Sequence, residues 1–136
     1  MHDRTETDKG RVLGVGGVFF RSKDPAALGA WYAENLGFQV EEWGDTRGTS
    51  FVPADMPANS FTVWSAFASN TEYFGTSGQG YMINLVVDDL DAALTRVAEG
   101  GGKVLEEREE HDFGRFGWFV DPDGNRVELW QPPESA

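Results

Sequence analysis

The chain has no cysteine and only two histidines, and its 11 basic residues are outnumbered by 23 acidic ones. Without cysteine there can be no disulfide, thiolate metal site or cysteine nucleophile. The net charge of -12 repels phosphate backbones and anionic membranes, so we expect no nucleic-acid partner. No apolar run approaches the roughly 20 residues of a membrane span, and residues 1–9 lack the apolar core of a signal peptide. We therefore expect a soluble, cytoplasmic protein.

Aromatic residues, by contrast, are abundant, and they surround a turn motif near the C-terminus. Residues 121–124 read Asp-Pro-Asp-Gly, in which proline presets φ and glycine accepts a left-handed conformation. The motif predicts a β-hairpin, and alternation along its second strand assigns Val127 and Leu129 to the core. The opposite face of that strand, a candidate site, carries Arg126, Glu128 and Trp130.

The two halves of the chain follow one plan. Asp24 matches Asp89 and Gly37 matches Gly102, each pair 65 residues apart, which indicates an internal repeat. Each half reads βαβββ. The predicted helices are 25–36 and 90–98, and the predicted strands are 15–21, 38–43, 49–53 and 60–67, then 81–87, 103–107, 115–120 and 126–130.

These elements predict a single domain over residues 11–132. Module one covers 11–67, a polar linker covers 68–80 and module two covers 81–132, while 1–10 and 133–136 are expected to be disordered tails.

Strand alternation also predicts which side chains line a cleft. A sheet with helices on one side is consistently apolar on that side. The residues expected to face the helices are Val18, Phe20, Phe61, Val63, Phe67, Ile83, Leu85 and Val87. The opposite faces carry Gly17, Phe19, Arg21, Thr62, Trp64, Ala66, Met82, Asn84 and Val86, which together with the last strand are expected to line a curved cleft.

Three segments resemble the vicinal oxygen chelate superfamily, which includes glyoxalase I, extradiol dioxygenases and bleomycin-resistance proteins. They are Phe-Arg-Ser-Lys-Asp-Pro at 20–25, Val-Asp-Asp-Leu-Asp-Ala-Ala at 87–93 and Phe-Val-Asp-Pro-Asp-Gly-Asn-Arg-Val-Glu-Leu at 119–129. The resemblance covers residues 12–132. It implies an α+β fold, in which two βαβββ modules in tandem form a curved mixed sheet cleft, and a homodimer.

Metal-using members of that superfamily take ligands from the first, fourth, fifth and last strands. Gly17, Trp64 and Met82 occupy three of these positions (Val63 replaces Trp64 if the repeat has no gap), and only Glu128 matches. One carboxylate cannot form the three-ligand open site of a catalytic metal. His2 is expected in the tail and His111 in an acidic loop at 106–112. We therefore expect no metal and no other cofactor.

Glu128 is the candidate catalytic residue, since a carboxylate among aromatic side chains can act as a general acid or base. It can equally form a structural ion pair with Arg126, Arg115 or Arg21. Arg21 and Arg115 can bind a substrate carboxylate or be solvated ends of strands. The other candidate ligand-binding residues, for which core or dimer packing is the alternative, are Phe19, Trp64, Tyr73, Met82, Asn84, Trp118 and Trp130.

The leading hypothesis is a metal-independent, glyoxalase/bleomycin-resistance-like protein that binds a small organic ligand in an aromatic, acidic cleft. The acidic surface and the tryptophans favour a cationic or aromatic ligand. The alternative is a small-molecule lyase or isomerase that uses Glu128 as acid or base. A third hypothesis, a ligand-free scaffold or regulatory protein, predicts that the mixed-face residues pack against each other and leave no cavity.

Overall fold

The structure, a computed structural model, describes Gly10, Val15 and residues 17–134. None of its helices is long and apolar enough to cross a membrane. Four strands form a mixed sheet in the order β3-β6-β5-β4, in which β3 and β6 are parallel and the other pairs antiparallel. The elements are α1 (Pro25–Leu36), β1 (Glu41–Trp43), β2 (Thr46–Gly48), a 3-10 turn (Pro53–Asp55), β3 (Ile83–Val86), α2 (Leu90–Glu99), β4 (Lys103–His111), β5 (Gly114–Val120) and β6 (Arg126–Gln131).

The second half confirms the predicted βαβββ order. Its helix α2 places Leu90, Leu94 and Val97 against one face of the sheet, where all three are buried. The sheet contributes Phe119, Val127 and Leu129, each at most 1% exposed. The strand alternation predicted for β6 is therefore confirmed, and α2 covers the face opposite Glu128.

Both helices begin in the same way, as the repeat predicts. The Asp24 side chain accepts a hydrogen bond from the Ala27 amide at 3.1 Å, and the Asp89 side chain accepts one from the Ala92 amide at 3.0 Å. Such N-caps satisfy amides that the first helical turn leaves unpaired. Helix α1 ends at Gly37, whose φ of 74° is the left-handed conformation that glycine adopts without strain. The retained caps show that the two halves share their helix starts.

The first half departs from the prediction. Segments 15–21, 49–53 and 60–67 were predicted to be strands, but their described residues form none. Only the short hairpin β1–β2 forms, with Glu42 opposite Arg47. The prediction that Val18, Phe20, Phe61, Val63 and Phe67 belong to the core is wrong, since these residues are 42% to 63% exposed.

Helix α1 packs into the core of the second half. Leu28 and Tyr32 of α1 are buried there, and the Trp31 indole donates to the Gly100 carbonyl at 2.8 Å. The helix also packs against the small sheet β1–β2, where Gly29 lies beside Arg47. Within the described residues, the backbone of 61–67 makes no hydrogen bond, and a strand without a partner is not stable.

Two smaller expectations have clear outcomes. The acidic segment 106–112, predicted as a loop, belongs largely to β4, which runs to His111. Linker 68–80 forms no helix or strand, as predicted. The predicted tail at 1–10 lies outside the described residues except for Gly10, as does His2, and residues 135–136 of the second tail lie outside them too.

The predicted hairpin joins β5 to β6 around a buried carboxylate. Asp121, 6% exposed, accepts hydrogen bonds from the backbone amides of Asp123 at 3.0 Å and Asn125 at 2.9 Å. It also accepts one from the Tyr32 hydroxyl at 2.9 Å and one from the Asn125 side chain at 3.2 Å. Burial, followed by the charge of Asp121, raises the pKa of Tyr32. Asp121 therefore ties the turn to α1.

Candidate functional site

Glu128 lies at the centre of the sheet face that the helices leave free. It pairs with Asn84 on the parallel strand β3 and with Trp118 on the antiparallel strand β5. The Asn84 amide donates to Glu128 Oε1 at 2.6 Å, and the Trp118 indole donates to Oε2 at 3.0 Å. Glu128 is only 7% exposed and Trp118 only 1%. The strand registers bring these three side chains together on one face of the sheet.

A third donor comes from the linker. The Tyr73 hydroxyl donates to Glu128 Oε2 at 2.5 Å, so that the carboxylate holds three side-chain donors. Burial, and then the hydrogen bond to Glu128, raise the pKa of Tyr73, so its phenol is a neutral donor over the physiological pH range. The linker thus covers the carboxylate, and Glu128 faces a tyrosine rather than open solvent.

No cation neutralises Glu128 within the described part of the chain, where the ion pairs lie elsewhere. Arg126 is 3.7 Å from a Glu107 oxygen, and Arg115 donates to Asp91 of α2 at 3.3 Å. The alternative that Glu128 forms an ion pair with Arg126 or Arg115 is therefore wrong, because those side chains bind other carboxylates. Arg126 instead lies over the Trp118 ring, 5.5 Å from its centroid.

Gln79, which the sequence gives no reason to single out, anchors the linker to β6. Its side-chain oxygen accepts from the Arg126 amide at 2.7 Å, while its side-chain nitrogen donates to the Arg126 carbonyl at 3.0 Å. These two bonds reproduce the pairing that a neighbouring strand would make. A lone glutamine in a polar linker carries no periodicity, so only the three-dimensional structure reveals it.

Other predicted site residues lie apart from the carboxylate. Trp130 shares the face but is 3% exposed, and its indole donates to the Phe113 carbonyl at 2.7 Å. Arg115 lies on the helix side of the sheet, with Asp91. Met82 is half-buried and directly precedes β3. Phe19, Arg21 and Trp64 are exposed and do not lie with Glu128.

Two of those exposed residues share a different recess. Phe19 and Arg21, with Phe20 and Tyr81, line an open depression that does not include Glu128. The predicted cleft is therefore divided in the structure: the carboxylate and its donors lie under the linker, while the first-strand residues face the exterior.

The described residues contain no group of three or more His, Cys, Asp or Glu side chains placed to hold a metal ion. His111 is exposed, contacts Glu109 at 2.9 Å and stacks on Phe113. It ends strand β4 rather than lying in the predicted loop.

Known structures share this fold. A glyoxalase/bleomycin resistance protein/dioxygenase family enzyme from Burkholderia phytofirmans PsJN is 16% identical, with a TM-score of 0.54 over 82% of this chain and 93% of that one. The oxidase ChaP-H2 is 21% identical, with a TM-score of 0.53 over 83% and 88% of the two chains. Identities this low establish the α+β fold alone and assign no reaction.

Sequence comparison gives the family. Putative glyoxylase CFP32 of Mycobacterium bovis is 42% identical over 48 residues, which are 35% of this chain and only 18% of that relative. A protein of the same name from Mycobacterium tuberculosis matches equally. The family profile described as a glyoxalase-like domain matches residues 17–130. Because that match spans most of the chain, the protein belongs to the glyoxalase-like domain family.

Proposed function

We propose that this protein binds a small organic molecule, without a metal, at Glu128. The observation that carries the proposal is a buried carboxylate that three side-chain donors hold and no described cation neutralises. Burying such a charge costs free energy that hydrogen bonds only offset. An apolar residue would fill a core position at a lower cost in free energy, so a carboxylate at this position favours a role in binding.

The chemistry around Glu128 supports a metal-free site. Both carboxylate oxygens accept hydrogen bonds, so the hydrogens of Tyr73, Trp118 and Asn84 point at the place a cation would occupy. Gly17 and Trp64 offer no oxygen or imidazole nitrogen, and Met82 offers only a soft thioether that hard divalent ions do not select. The residues present do not fit the metal centre of glyoxalase I.

The proposed ligand is aromatic or cationic. Trp118 and Tyr73 present ring surfaces beside the carboxylate, with their centroids 6.0 Å apart. The net charge of -12 favours the approach of cations over anions. An anionic ligand would meet a like charge at Glu128.

A thermal-shift panel in the presence of chelator tests this proposal. It contains hydroxylated and amino aromatics, bleomycin-type cationic drugs and small dicarbonyl metabolites. We expect at least one compound to raise the melting temperature of the wild type, and Glu128→Gln to weaken its binding about 100-fold, because the amide loses both the charge and an acceptor.

Glu110→Gln is the matched control, since it removes the same charge from an exposed position on β4 and should leave binding unchanged. Stabilisation that disappears with chelator would contradict the proposal, as would equal binding by the wild type and Glu128→Gln.

The lyase or isomerase hypothesis is favoured by one observation, the hydrogen bond from the Tyr73 hydroxyl to Glu128. A phenol and a carboxylate within hydrogen-bonding distance can pass a proton between them and a bound substrate. The same Glu128→Gln variant separates the two functions. An acid/base enzyme loses turnover while its ligand still binds, whereas a binding protein loses the ligand itself.

We also propose that the chain forms a homodimer. Phe19 is 97% exposed, Trp64 80% and Val63 63%, and exposed apolar groups of this size favour association. Light scattering on the purified protein should give twice the mass of one chain. A monomer at micromolar concentration would contradict this proposal.

A further inference from the structure

The ring of Tyr73 lies in a slot made by other aromatic side chains. It stacks on Phe67 at 5.4 Å with an angle of 12° between the planes, and it meets Trp118 edge-on at 6.0 Å and 87°. Stacked and edge-on contacts at these distances are the favourable arrangements for aromatic pairs. The slot therefore accepts one flat ring, in an orientation that directs a hydroxyl group to Glu128.

The segment that carries Tyr73 is fixed to the sheet by Tyr73 itself and by Gln79. Among the described residues, the backbone amides of 68–80 make only local bonds: Thr71 to the Ala68 carbonyl and Gly75 to the Glu72 carbonyl, both at 3.0 Å, Tyr73 to the Thr71 hydroxyl at 3.2 Å and Gln79 to the Ser77 hydroxyl at 3.4 Å. Gln79 anchors the end to β6. Between Tyr73 and this anchor lie Gly75 and Gly78, with φ of 83° and 81°. Glycines rotate with little steric cost, so Tyr73 can leave the slot while Gln79 stays in place.

We propose that Tyr73 is an internal occupant of the ligand site, and that the ligand is a hydroxyl-bearing aromatic compound that displaces it. This inference rests on the proposed function and names its ligand class. When Tyr73 leaves, Glu128 keeps its bonds from Asn84 and Trp118 but loses one of three donors at a site that is only 7% exposed, which costs free energy. A displacing molecule must therefore bring an O–H donor to the carboxylate and a flat ring to Phe67 and Trp118, as a phenol does.

Two probes that differ by one group test the inference. 4-Methylphenol reproduces the tyrosine side chain, and 4-methylanisole keeps the ring but has no hydroxyl hydrogen to donate. We expect 4-methylphenol to bind and 4-methylanisole to bind at least about tenfold more weakly, because only the first replaces the hydrogen bond to a charged acceptor.

Tyr73→Phe separates displacement from simple occupancy of an empty site. The variant keeps the ring and removes the internal donor, so the slot opens more easily and the affinity for 4-methylphenol should rise about tenfold. Tyr81→Phe is the matched control, because Tyr81 is 44% exposed and contacts the outer recess instead. It should leave the affinity unchanged.

Hydrogen exchange on the wild-type protein shows whether ligand binding loosens or tightens the segment 68–80. Ligand binding usually slows exchange, but displacement of Tyr73 should accelerate it at the amides of Thr71, Tyr73 and Gly75, which are bonded in the closed segment. Slower exchange in 68–80 on binding, or a weaker affinity for 4-methylphenol in Tyr73→Phe, would overturn the inference. The thermal-shift panel with Glu128→Gln tests the proposed function separately, because those measurements do not require Tyr73 to move.

Discussion

Asp121→Ala should lower the free energy of unfolding by about 3 to 5 kcal/mol, because one buried donor and three partly buried donors would lose a shared acceptor. The carboxylate of Asp121 accepts from Tyr32, from the amides of Asp123 and Asn125, and from the Asn125 side chain. With alanine, the Tyr32 hydroxyl is left in a site that is 8% exposed and the turn loses its connection to α1. Urea unfolding followed by circular dichroism measures the change.

Tyr32→Phe removes only one of these bonds and is the matched control. It should cost about 1 to 2 kcal/mol, and an equal loss in both variants would show that the turn amides do not need the carboxylate.

The pair also has a pH signature. Burial and Asp121 raise the pKa of Tyr32, so above about pH 10 the unfolded chain loses this proton while the folded protein keeps it. The contribution of Tyr32 to the free energy of unfolding is therefore constant below about pH 10. Above that pH it falls by about 1.4 kcal/mol per pH unit. Tyr32→Phe should lose this part of the alkaline decline.

Gly114→Ala should destabilise the protein by about 2 to 4 kcal/mol, through backbone strain and a steric clash together. Gly114 begins β5 with φ of 130°, a conformation that alanine rarely adopts. An added Cβ would collide with the Trp130 indole nitrogen and lie 2.5 Å from the Gln131 carbonyl oxygen. Neither group can move freely, because the Trp130 indole donates to Phe113 and Gln131 is paired within the sheet.

Gly124→Ala isolates the strain. Gly124 also has a positive φ, 86°, but an added Cβ would meet nothing within 4 Å. Its cost should be about 1 kcal/mol, measured by the same urea titration. If both variants cost the same, the collision at Gly114 contributes nothing.

The sequence predicted the second half well because its signals are local and agree with each other. Asp89 caps α2, glycine ends it, and the hairpin has an unmistakable turn. The first half carries the same local signals, and its helix forms with the same cap at Asp24. Its strands do not form, because strand pairing depends on a neighbour that local pattern cannot supply. Helix α1 instead joins the core of the second half through Leu28 and Tyr32.

For the candidate site too, the sequence predicts some residues and misses others. Strand alternation assigned Glu128 and Asn84 to the same face, since the period of a strand is fixed, but it did not assign Trp118 to that face. The aromatic content of the linker pointed to Tyr73. Gln79 could not be found, because its contact depends on how the linker crosses β6 rather than on any repeating pattern. Arg115 was misassigned to the site, since one position along a strand moves a side chain to the other face.

The five tryptophans occupy contrasting surroundings, and this makes the protein its own optical reporter. Trp118 and Trp130 are at most 3% exposed, whereas Trp43 is 51% and Trp64 80% exposed. A neutral collisional quencher such as acrylamide should therefore extinguish the emission of Trp43 and Trp64 first. The unquenched emission that remains comes mainly from indoles on the carboxylate side of the sheet, where Trp118 lies against Glu128 and Tyr73.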